Sequence, residues 1–76
     1  LHSTQEKRYD YRITVSLEPE NQTLVFDRLK TVLQLLNRIG RKPGRVLVIR
    51  DGQLLTPDLI LAPGDKILVR DVGSKG

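Results

Sequence analysis

Leu29, Val32, Leu33, Leu36 and Ile39 recur at spacings of three and four residues, and this one stripe constrains the fold more than any other feature of the chain. Such spacing lines apolar side chains along one side of a helix, with Arg28, Lys30, Gln34, Asn37 and Arg38 on the rest of its surface. Asp27 is suited to cap it, since its carboxylate can accept an early backbone N–H. Gly40 stops it, because glycine takes the left-handed conformation after a helix at little cost, and Pro43-Gly44 reinforces the break. A single amphipathic helix buries its stripe only against another element, so the flanking residues must supply that surface.

They do so by alternation. Tyr9, Tyr11, Ile13, Val15 and Leu17 fall on one face, with Asp10, Arg12, Thr14 and Ser16 on the other, which predicts a strand with one side buried. Glu18-Pro19-Glu20-Asn21 supplies turn residues and Gln22 to Phe26 a second strand, making a hairpin. After the helix, Val46-Leu47-Val48-Ile49 is a β-branched run followed by Asp51-Gly52, the signal for a turn with positive φ at both central positions. Gln53 to Leu55 returns briefly. Thr56-Pro57-Asp58 and Ala62-Pro63-Gly64-Asp65 then bracket a loop carrying Leu59, Ile60 and Leu61. Lys66 to Val72 is the last strand, with Ile67 and Val69 on one side and Leu68, Arg70 and Val72 on the other.

The order strand, strand, helix, strand, short strand, strand lays the helix across one face of a mixed sheet of four to five strands, its first and last strands parallel at the centre. The expected fold is therefore α+β, a ubiquitin-like β-grasp spanning residues 9–72. Residues 1–8 are expected to form a loose lead-in and 73–76 a flexible tail.

Composition removes several chemistries. A chain of 76 residues holds one domain and buries roughly 60% of the surface it exposes when unfolded. Its 38% hydrophobic and 29% charged residues suit a compact soluble domain better than a disordered one. There is no cysteine, which excludes disulfides, thiolate zinc sites and a cysteine nucleophile, and His2 alone cannot make a multi-histidine metal site. No apolar run approaches the ~20 residues needed to cross a bilayer and no signal-peptide pattern opens the chain, so a cytoplasmic location is expected. Met is absent, position 1 included, as in a processed product or a piece of something longer.

Gly40, Gly44 and Gly52 match no glycine-rich nucleotide motif, and Asp58 and Asp65 sit in loops as turn formers. Ser3, Ser16 and Ser74 have no plausible histidine partner. The chain is not expected to be an enzyme or to bind a cofactor. Its formal net charge of +4 concentrates at Arg38, Arg41, Lys42 and Arg45, where cations favour the negative end of the helix dipole. Two Tyr and one Phe are too few for a base-stacking platform, so nucleic acid is not the expected partner.

The stretch from Val46 to Thr56, followed by Leu61-Ala62-Pro63-Gly64-Asp65-Lys66-Ile67-Leu68-Val69, resembles the second half of the ThiS/MoaD-type sulfur carriers. Those proteins carry a strand, an Asn-Gly or Asp-Gly turn, a variable loop, a Gly-Asp turn and a final strand leading to a Gly-Gly end. The similarity covers roughly residues 11 to 76. It implies a carrier that performs no catalysis itself. A partner of the ubiquitin-activating type uses ATP to adenylate the terminal glycine, sulfur replaces AMP, and the thiocarboxylate supplies a downstream enzyme of cofactor or tRNA biosynthesis. Carried over, Gly76 is the activated residue and Gly73, Ser74 and Lys75 form the tail threaded into the partner. Lys75 stands where the family has glycine.

If Val46 and Val48 face the helix, Leu47 and Ile49 point outward beside Leu68, Arg70 and Val72, making an apolar patch with a basic edge on the open sheet face. Ubiquitin-like proteins generally bind partners on that face. Two other readings stay open: a non-conjugating β-grasp interaction module, and an RNA-binding module resembling TGS domains that uses Arg38, Arg41, Lys42 and Arg45.

Overall fold

The computed structural model describes residues 12–72. The expected lead-in at 1–8, the Tyr9–Tyr11 start of the first strand and the tail Gly73–Gly76 lie outside the described residues. The elements are β1 (Ile13–Glu18), β2 (Gln22–Phe26), α1 (Val32–Ile39), a short 3-10 turn (Pro43–Arg45), β3 (Val46–Arg50), β4 (Gln53–Leu54) and β5 (Lys66–Asp71). One sheet holds all five strands in the order β2-β1-β5-β3-β4, with β1 and β5 parallel at its centre and the other pairings antiparallel. This is the β-grasp arrangement.

Alternation builds the inner sheet face as expected. Ile13, Val15 and Leu17 of β1, Val46 and Val48 of β3, and Ile67 and Val69 of β5 are buried, and α1 closes over them with Val32, Leu35 and Leu36. Leu29 and Leu61 fill the core from loops, and Leu24, Phe26, Ile39 and Leu55 pack at its margin. Asp51 and Gly52 both take positive φ, 53° and 79°, so a two-residue turn returns β3 into β4 and sets Ile49 opposite Leu54.

The helix departs from the sequence expectation at its start and in its phase. It begins at Val32, capped by Thr31 rather than Asp27, whose side chain stays exposed outside the helix. Thr31 Oγ1 accepts the Gln34 N–H at 3.1 Å, while Gln34 Oε1 accepts the Lys30 N–H at 2.6 Å. This is a reciprocal cap of the Thr-x-x-Gln type, shifted back by one residue on its return leg. The two N–H groups before Gln34 also need acceptors. Val32 finds the Leu59 carbonyl at 3.0 Å and Leu33 the Pro57 carbonyl at 2.9 Å. The loop from 57 to 61 therefore fixes where the helix begins, and a loop contact of that range leaves no local mark at Asp27.

With that start, the buried stripe is Val32, Leu35 and Leu36, continued by the half-buried Ile39. Leu35 is fully buried, whereas Leu33, assigned to the stripe from spacing alone, is 43% exposed. At the other end Gly40 (φ 73°) closes the helix as expected, with the Arg41 N–H returning to Leu36 O at 2.9 Å.

Candidate interaction face

The helix covers one side of the sheet, and the described residues leave the other side open. Register fixes what lies there. Leu47 on β3 pairs with Arg70 on β5, and Ile49 pairs with Leu68. Directly paired residues on neighbouring strands project to the same face, so these four side chains form two adjoining rows. The rows extend into β1, where Ser16 pairs with Leu68 and Glu18 with Arg70. Arg70 Nε donates to Glu18 Oε1 at 3.1 Å, fixing the guanidinium at the patch border. Val72 continues the β5 alternation just past the strand, its N–H bonded to Arg45 O at 3.3 Å and its side chain 52% exposed.

The five side chains Leu47, Ile49, Leu68, Arg70 and Val72 thus come together as expected from their alternation. Leu47 and Val72 are exposed, and Ile49 and Leu68 are half-buried between neighbours. Sequence reasoning missed Leu54, which β4 sets opposite Ile49 and leaves 64% exposed. Its signal was available: once Asp51-Gly52 is a two-residue turn, counting outward from it pairs residue 49 with residue 54. The result is an aliphatic surface of Leu47, Ile49, Leu54, Leu68 and Val72 on adjoining strands, with Arg70 at its border oriented by a carboxylate.

The basic cluster at the helix end is organised differently. Arg41 donates Nη2 to Glu20 in the β1–β2 turn and Nη1 to Asp71 Oδ2 at 3.0 Å, at the end of β5. The hydrogen bond from Arg41 holds the Glu20 carboxyl below its ordinary value of 4.5, and the same contact raises the Arg41 guanidinium. Arg38 lies with its guanidinium 5.6 Å from the Phe26 ring centre, over a strand on the core margin. Lys42 and Arg45 are exposed. Two of the four cations are thus engaged inside the domain, which reduces the cluster available to an anionic partner.

Asp65 closes its own turn, its Oδ2 accepting the Ala62 N–H and an Arg50 Nη1 hydrogen, both at 2.8 Å. Asp58 is held below the usual carboxylate range by a hydrogen bond from the Thr56 side chain. A groove of about 340 Å³ is lined by Ile13, Asp27, Leu29, Leu61 and Pro63, in which Asp27 is the ionisable side chain. Among the described residues no group of three or more His, Cys, Asp or Glu side chains could hold a metal ion. No helix there is long and apolar enough to cross a membrane.

No protein-family model matches the chain, and no curated protein does. Among solved structures, it is similar to the solution structure of a computationally designed protein based on the template of human erythrocytic ubiquitin. The two share 25% sequence identity and a TM-score of 0.63, over 86% of this chain and 95% of that one. The fold is ubiquitin-like.

Proposed function

We propose that this chain is a non-catalytic β-grasp domain that docks the open face of β3 and β5 on a partner protein. The contiguity of Leu47, Ile49, Leu54, Leu68 and Val72 on paired strands carries this reading. Scattered aliphatics are ordinary on any surface, but a continuous patch with a polar border is what a partner covers.

Its finer role is that of a ThiS/MoaD-type sulfur carrier. Docking on this face brings the segment that follows Val72 to a cytoplasmic adenylating enzyme of the ubiquitin-activating type. There a carboxylate oxygen of Gly76 attacks the α-phosphorus of ATP and pyrophosphate leaves. Sulfide sulfur then attacks the acyl adenylate, AMP leaves, and the thiocarboxylate passes to a sulfur-accepting enzyme. Support comes from the Asp-Gly turn, the Gly64-Asp65 turn and the final strand, which occupy the places they have in that resemblance. The domain binds no cofactor; the ATP belongs to the partner.

The test uses the chain with ATP, sulfide and such an adenylating enzyme, read by intact mass. A gain equal to one sulfur-for-oxygen exchange at Gly76 is expected, and Leu47→Glu should slow it while leaving the unfolding midpoint close to that of the parent. No exchange sinks the carrier role. The docking reading is then judged separately, by whether the same enzyme shifts the amide resonances of Leu47, Ile49, Leu68 and Arg70. Unmoved resonances sink that too, and leave no partner assigned to the face.

A further inference from the structure

The sheet has two edges, and the chain treats them differently. β4 ends one side with only two residues, Gln53 and Leu54. A strand that short offers little to pair with. β2 ends the other with the five residues Gln22-Thr23-Leu24-Val25-Phe26, which contain no charge and no proline. Natural edges are usually blunted by charged residues, proline, a bulge or brevity, and β2 carries none of these within its length.

Its open backbone groups follow from parity. Thr14 N–H donates to Asp65 O at 3.0 Å, on the β5 side of β1, and Arg12 O accepts the Gly64 N–H there at 3.1 Å. Successive residues of a strand aim their backbone groups at opposite edges, so Ile13, Val15 and Leu17 address β2. Their register partners Phe26, Leu24 and Gln22 face back toward β1. The N–H and C=O of Thr23 and Val25 are left pointing out of the sheet, and among the described residues nothing pairs with them.

We infer that this edge pairs with β2 of a second copy, antiparallel and centred on Leu24. Two outward-facing residues flanking a central one are self-complementary under a two-fold rotation. Thr23 lies opposite Val25 of the second copy and Val25 opposite its Thr23, each pair exchanging both backbone bonds. Only the antiparallel direction lets each of these pairs exchange both bonds. Val25, 53% exposed, gains a β-branched cross-strand neighbour in Thr23. The net charge of +4 on each copy opposes association, so the dimer is weak and forms only in concentrated protein.

Sedimentation equilibrium up to about 1 mM chain tests this, a range in which even millimolar association registers. Val25→Pro removes only an outward N–H and leaves the β1–β2 ladder its bonds, so it should fold and stay monomeric. Val25→Lys, which blunts the edge with a charge, should do the same. In the parent, dilution should move the Thr23 and Val25 amide resonances more than that of Leu24. A parent that stays monomeric throughout overturns the inference, whether or not the edge takes up some other extended peptide. So does a dimer that survives both Val25 variants, or one abolished by Leu47→Glu, which would place it on the open face instead. If Val25→Pro does not fold, Val25→Lys and the dilution series decide.

Discussion

Thr31 and Gly52 show how single side chains set boundaries here. Thr31 supplies an acceptor to the first helical turn, and its loss leaves the Gln34 N–H to water. Thr31→Ala is expected to cost about 1 kcal/mol, measured as a lowered urea midpoint with an unchanged slope. Gly52 sits at φ 79°, and a Cβ added there would meet nothing within 4 Å, so a substitution is penalised by backbone strain alone. Gly52→Ala should therefore cost about 1 kcal/mol by the same measurement, with no accompanying repacking of the core. An alanine as stable as the parent would mean that the turn relaxes to another form.

At the scale of the elements, α1 offers a paired comparison between neighbours of the same chemistry. Leu35 is wholly buried, whereas Leu33 is 43% exposed. Truncating Leu35 to alanine removes transfer energy and leaves a cavity, and should cost about 3 kcal/mol. Leu33→Ala should cost less than about 1 kcal/mol, since much of that side chain already meets water. Thermal or urea unfolding of the two variants side by side checks the helix phase directly. Equal losses would contradict it. The sheet has its own division of labour: β1, β3 and β5 bury their inward side chains in the core, while outward side chains of β3, β4 and β5 line the open face.

The whole molecule is tied together by Arg41, which leaves the helix and reaches both the β1–β2 turn at Glu20 and the end of β5 at Asp71. These groups are far apart in sequence and meet only because the sheet brings its first hairpin beside its last strand. The Glu20 carboxyl is lowered from 4.5 in the folded protein, so it binds its proton less readily there than in the unfolded chain. Its stabilising contribution is present in full above pH 4.5 and is lost as pH falls through the depressed folded value. Urea midpoints recorded against pH should show Glu20→Gln less stable than the parent near neutrality, with the two curves converging in acid. A constant gap between them at every pH would show that Glu20 acts through something other than its charge. Because Glu20 is well exposed, added salt should narrow the neutral-pH gap.

Alternation and turn chemistry by themselves determined the strands, the Asp51-Gly52 and Gly40 boundaries and the outward parity of Leu47 and Ile49. Those are short-range properties: a period of two and a positive φ are written in adjacent residues. Even Leu54 could be counted off from its turn. Tertiary structure decided the rest. The helix begins at Val32 because carbonyls of Pro57 and Leu59 satisfy its first N–H groups, which turned Leu35 inward and Leu33 toward solvent. It likewise decided that Arg41 spends its charge on Glu20 and Asp71, and that Thr23 and Val25 face outward at a free edge. Each of these depends on partners brought together by chain closure, and no window of neighbouring residues contains both halves of such a contact.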